Sequence, residues 1–100
     1  MTTVHIENTV RDFDTWKANF DKYERFRADQ GVQSYRVSRS LTDPNEVLID
    51  LEFADQTAAQ AFLPKLEQIM TSPQARTQLV RHSVPRLYAV VTERIPSATG

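Results

Sequence analysis

"LTDPNEVLIDLEF", residues 41–53, settles how this chain folds. Asp43-Pro44-Asn45 has the residue chemistry of a tight turn. After it the residues alternate, with Val47, Ile49, Leu51 and Phe53 on one face and Leu48, Asp50 and Glu52 on the other. That period of two belongs to a strand buried on one side. Upstream, "VQSYRVSRSL" (32–41) puts Tyr35, Val37, Arg39 and Leu41 on one face and Ser34, Arg36, Ser38 and Ser40 on the other. The turn therefore joins strands 32–41 and 46–54 into an antiparallel hairpin. Asp50 and Glu52 either face water or face something that answers their charge, and Arg36 stands on the same sheet face one strand away.

The remaining elements follow outward from the hairpin. "TVHIENTV" (3–10) alternates as a strand, with Asn8 on the apolar side. Asp12 has the chemistry of a helix N-cap, with Asp14 in the first turn. Phe13, Trp16, Phe20 and Tyr23 recur at spacings of three and four, which predicts one helix over 12–29 with a single apolar stripe. Lys17, Asp21, Arg25 and Asp29 alternate in charge on its opposite side, and Gly31 supplies a left-handed stop. Asp55 caps a second helix whose stripe is Ala58, Ala61, Phe62, Leu66 and Ile69, and Pro64 is expected to kink or split it. Ser72-Pro73 restarts a short helix over 73–80. "RHSVPR" (81–86) reads as a loop, "LYAVVTERI" (87–95) as a closing strand that is apolar on both faces, and 96–100 as a tail. The order βαββαβ, with right-handed crossovers, predicts an α+β ferredoxin-like domain over 1–95: a four-stranded antiparallel sheet with its helices on one face.

Composition removes several classes of function. One hundred residues make one domain. A net charge of −1 without a block of like charge gives no support for nucleic acid or an anionic membrane as partner. There is no cysteine, so disulfides, thiolate metal sites and thiol nucleophiles are absent. No apolar run reaches the ~20 residues of a membrane span, and the first ten residues lack a secretion signal, so the expected location is the cytoplasm. Two glycines cannot build a phosphate loop, the two histidines have no metal-ligand spacing, and no serine sits in a G-x-S-x-G turn. Neither metal nor cofactor is expected.

Helices on one side leave the other sheet face bare, carrying His5, Glu7, Ser34, Arg36, Ser38, Leu48, Asp50 and Glu52. A last strand apolar on both sides would expose a hydrophobic edge unless something covered it. The expected cover is a second copy of the chain, a homodimer through the sheet face, with the carboxylates as part of that interface.

"DFDTWKANFD" (12–21), "RADQGVQSYRVSR" (27–39), "DPNEVLIDLEF" (43–53) and "AAQAFL" (58–63) resemble the dimeric α+β barrel superfamily. Within it, the chain is similar to the antibiotic biosynthesis monooxygenases and putative cyclases. The resemblance implies a homodimer with two facing sheets and a small-molecule pocket between sheet and helices in each subunit. It also implies cofactor-independent chemistry on an aromatic or apolar, enolisable substrate, with a non-catalytic binding or assembly protein of the same fold as the alternative. In the haem-degrading branch, a first-strand asparagine works with a tryptophan and a histidine from the second helical region. Asn8 and loosely His82 match, but the only tryptophan, Trp16, lies on the first helix, and this departure sets the chain apart from that branch.

Fold alone does not confer chemistry, so each candidate residue is weighed on its own. Trp16, Phe20, Tyr23 and Phe62 form either plain core or a pocket lining. Arg27, four residues after Tyr23, is either a cation at a helix C-terminus or the holder of a phenolate or other anion. Arg39 points with Tyr35 toward the helices, where a guanidinium needs a partner or a ligand. Either arginine could stabilise a developing oxyanion. His82 and Tyr88 are the candidates to carry the proton, and Tyr35 could orient a substrate hydroxyl.

Overall fold

The structure is a computed structural model and describes residues 1–97; of the expected tail, 98–100 lie outside the described residues. The elements are β1 (Thr2–Val10), α1 (Phe13–Asp21), α2 (Glu24–Asp29), β2 (Ser34–Arg39), β3 (Glu46–Phe53), α3 (Gln56–Met70), α4 (Pro73–Gln78), β4 (Leu79–His82) and β5 (Arg86–Ala89). The sheet runs β2-β3-β1-β4 and is antiparallel throughout, with β5 also paired to β1. This is the ferredoxin-like α+β arrangement expected from the hairpin and its flanking helices.

The apolar alternation sets the core. Val4, Val10, Val47, Leu51 and Phe53 are fully buried, and they pack with Ile6, Ile49, Trp16, Ala59, Phe62 and Leu66. Burying each large apolar side chain contributes about 1.5–3 kcal/mol, which makes this one cluster the main support of the domain.

The helix expected over 12–29 is two helices. At the end of α1 the Lys22 and Tyr23 amides reach back only three residues, to Asn19 and Phe20, each at 3.2 Å. That tightened turn closes α1 and lets α2 start in a new direction. Asp12 caps α1 by accepting from the Thr15 amide, and Lys17–Asp21 and Arg25–Asp29 pair on either side of the break. α2 ends as Gly31 predicts. Gly31 has φ 95°, its amide bonds Ala28, and the Val32 amide bonds Arg27, the two bonds of a left-handed helix stop.

Pro64 neither kinks nor splits its helix, because α3 is a single 15-residue helix through it. Burial of Ala59, Phe62 and Leu66 against the sheet outweighs the one hydrogen bond that proline removes. The buried stripe is therefore set one residue off at its start: Ala59 is buried and Ala61 is exposed.

The far edge of the sheet also differs from expectation. The stretch read as a loop at 81–86 begins as β4, which pairs Arg81 with Thr9 and His82 with Asn8. β5 then takes up β1 again at Thr2–His5, with a register one residue different, so one residue is looped out between the two strands. Pro85 lacks the amide a continuous strand would need there. The last strand is correspondingly short, since Val90–Ser97 have no regular structure, although the Val90 amide still bonds the Met1 carbonyl.

Candidate functional site

A cavity of about 80 Å³ lies between the sheet and the helices. α1 contributes Trp16 and Phe20 to it, and Tyr23 and Arg27 enter beyond the helix break. β1 and β3 supply Ile6, Asn8, Ile49 and Leu51, and α3 closes it with Phe62, Leu66, Ile69 and Met70. Trp16 and Phe20 in its wall lie 5.2 Å apart between ring centroids, and Phe20 meets Tyr35, outside the lining, at 5.6 Å.

Arg27 is the one charged residue in this lining, and it is only 5% exposed. Its guanidinium carbon stands 3.7 Å from the Phe20 ring centroid and 4.9 Å from that of Tyr35. Nη2 donates to the Glu24 carboxylate at 3.3 Å, and the Tyr35 hydroxyl donates to the same oxygen. That bond to Glu24, with partial burial, holds the Tyr35 pKa above its ordinary value. Nε of Arg27 is buried without a hydrogen-bond partner, and so is Oδ1 of Asn8. Two residues of one apolar cavity lining therefore each hold a buried polar atom without a partner, a donor on a cation and an amide acceptor. Each carries a desolvation cost of about 1–3 kcal/mol that a ligand bearing complementary groups would relieve.

Five of the six residues expected to line a pocket meet here: Trp16, Phe20, Tyr23, Arg27 and Phe62. Tyr35 stands behind them, reaching the site through Phe20, Arg27 and Glu24. The expected proton carriers and the second arginine lie elsewhere. Arg39 sits over Phe13, 4.0 Å from its ring centroid, with Nε donating to the Pro44 carbonyl at 3.2 Å. With His82 it lines a separate groove of about 410 Å³. His82 is exposed at the sheet edge beside Asn8. Tyr88 pairs with Thr3 on the bare sheet face, its ring 6.1 Å from that of His5, so the sheet separates it from the cavity. Leu87, opposite Val4, is the residue of β5 that turns inward.

Sequence reasoning missed Asn19, Met70, Ala75 and Leu79 in the lining. Met70 had a visible signal, because it follows Phe62 and Leu66 at a spacing of four. The cavity wall holds no aspartate, glutamate, histidine or cysteine, and among the described residues no three such groups stand together as a metal site.

On the bare face, His5 is held between two carboxylates, Nδ1 at 2.6 Å from Asp50 and Nε2 at 3.1 Å from Glu7. A neutral imidazole carries one N–H, so two carboxylate contacts call for the protonated ring. Asp50, more than any other group, raises the His5 pKa above 6.5, against the lowering effect of burial. Glu52 accepts from the Thr3 hydroxyl at 2.7 Å. The carboxylates of residues 41–53 are thus answered by β1, and among the described residues Arg36 forms no ion pair with Asp50.

A family model for antibiotic biosynthesis monooxygenases matches residues 1–65, and the chain belongs to that family. No curated protein matches it at a significant level. Among solved structures it is similar to SnoaB from Streptomyces nogalater, described as a cofactor-independent oxygenase, at 17% identity over 96% of this chain and 97% of that one, with a TM-score of 0.72. NE2512 from Nitrosomonas europaea, of unknown function, aligns at 12% identity over 97% and 95% of the two chains, with a TM-score of 0.74. A dimeric ferredoxin-like protein from an uncultured marine organism aligns at 8% identity over 96% and 92%, with a TM-score of 0.66. At these identities the likeness is one of fold. Among the described residues, no helix is long and apolar enough to cross a membrane.

Proposed function

We propose that this member of the antibiotic biosynthesis monooxygenase family oxidises an aromatic, enolisable small molecule with dioxygen in the cavity around Arg27, as a homodimer. The single observation that supports the reading is the unpaired Nε–H of a buried arginine in an apolar, aromatic cavity. A fixed cation in a dry site stabilises a substrate enolate or phenolate far better than water would, because its donor is already oriented and desolvated. Asn8 Oδ1 accepts from a second hydroxyl and fixes the ring. The electron-rich anion then reduces dioxygen itself. For a dihydroxyanthrone, the CH2 carbon becomes a carbonyl, one oxygen atom enters the product and the other leaves as water, and the substrate supplies all four electrons. His82 lies outside the cavity lining and is exposed on β4, but it pairs with Asn8, which lines the cavity, and it is our choice to accept the substrate proton once it reaches the sheet edge.

A second reading has one observation in its favour. About 80 Å³ is small against the roughly 300–1,000 Å³ of ordinary ligand pockets, which suits a binding or assembly protein in which Arg27 is structural. Oxygen uptake in the presence of a dihydroxyanthrone separates the two. The enzyme reading predicts uptake of one dioxygen per substrate at a rate that falls by about 100-fold or more in Arg27→Met, the usual cost of one lost oxyanion donor. Equal rates of uptake by wild-type and Arg27→Met would overturn it.

A further inference from the structure

The inner cavity is too small for the ligand its wall describes. A dry cavity of roughly 150 Å³ is what a single benzene ring occupies in an engineered protein core, and this one offers about 80 Å³. That volume has room for the oxygen-bearing end of an aromatic molecule and little more. The space for the rest lies next door. A groove of about 620 Å³ runs between α3 and the β4–β5 connection, and Met70 lines both this groove and the inner cavity. Leu63, Pro64, Val84 and Pro85 give the groove an apolar floor, and His82 stands in its wall.

Two of these features arise from departures in the chain's regular structure. The register change between β4 and β5 brings an extra residue into the connection that carries Val84, which is 81% exposed. Pro64 has no N–H, so the carbonyl of Gln60, also in the groove wall, lacks its usual acceptor role within α3. Met70 is an unbranched, polarisable side chain of the kind that yields to a ligand without disturbing its backbone.

We infer that the groove between α3 and the β4–β5 connection is the second half of the ligand site. It takes the apolar body of an extended molecule whose oxygen end lies at Arg27 and Asn8, and Met70 is the movable wall between the two compartments. This inference rests on the proposed small-molecule site at Arg27.

The test uses the full chain with its methionine methyl groups isotope-labelled for NMR. The sequence holds two methionines, and Met1 lines a groove with Arg36 and Glu93 instead, so it serves as an internal control. The probes are dihydroxyanthraquinone, with three fused rings, and phenol, with one. Dihydroxyanthraquinone is expected to shift the Met70 methyl saturably and leave Met1 in place. Val84→Asp, an exposed change that leaves the fold intact, is expected to weaken dihydroxyanthraquinone by about tenfold or more while changing phenol by less than about twofold. Arg27→Met is expected to weaken both, with its unliganded methyl spectrum reporting on the fold. If Val84→Asp leaves the three-ring probe unaffected while Arg27→Met weakens it, the groove assignment is overturned and the inner site stands. If Arg27→Met weakens neither probe, or the probe moves only Met1, the underlying site and the groove fall together.

Discussion

Arg27 and His5 are two cations held by opposite means. Arg27 is buried, paired with one exposed carboxylate, and otherwise faces aromatic rings and its own cavity. Such an arrangement costs desolvation and is retained where the cation has something to do. His5 is satisfied, each ring nitrogen meeting a carboxylate on the bare sheet face. Its consequence is a pH dependence with a definite sign. The folded pKa is raised above the unfolded value of 6.5 by Asp50 first and Glu7 second. The stabilisation is therefore complete below about 6.5 and is lost as pH rises through the folded pKa. Thermal denaturation followed across neutral to mildly alkaline pH should show the melting temperature falling over that window in wild-type and staying flatter in His5→Gln. Identical pH profiles for the two proteins would remove His5 as the cause.

At the scale of elements, the strands were legible because their alternation is strict, as in Val47–Ile49–Leu51–Phe53, and the helix caps because Asp12, Asp55 and Ser72 have few other uses. The break after α1 was not, because "DKYE" contains neither glycine nor proline and the turn is made by two backbone bonds alone. β4 was hidden for a related reason: Leu-Val-Arg-His has no period of two, and it becomes a strand only because β1 offers an open edge. Pro64 misled in the other direction, since a helix anchored by Phe62 and Leu66 tolerates one missing amide. Gly31 tests this local reasoning. Its Cβ would meet only Phe53 Cδ1 at 3.9 Å, an ordinary contact, so a substitution there acts through φ alone. Gly31→Ala should destabilise the protein by about 1–2 kcal/mol, with Gly31→Asn costing less, as measured by urea denaturation. Equal stability of Gly31→Ala and wild-type would show that the left-handed stop contributes nothing.

For the whole molecule, one sheet separates two surfaces of different chemistry. The helix side holds the cavity with Arg27 and Asn8. The bare side presents His5, Glu7, Asp50 and Glu52, with the exposed Leu48 and Tyr88 toward opposite ends of the His5–Asp50 pair, and it is the face on which we propose that a second copy packs. The pocket aromatics could be picked out in advance because a buried stripe at helical spacing must lie where the sheet and helices meet. The separation of Arg39, His82 and Tyr88 from that pocket could not, because it depends on the face of the last strand and on where β2 ends. Native mass spectrometry in excess dihydroxyanthraquinone tests the central claim, a ligand site at Arg27 in each subunit of a homodimer. The account predicts a dimer carrying two ligand molecules, and an empty dimer for Arg27→Met. A monomer, or the same ligand load on the Arg27→Met dimer, would contradict it.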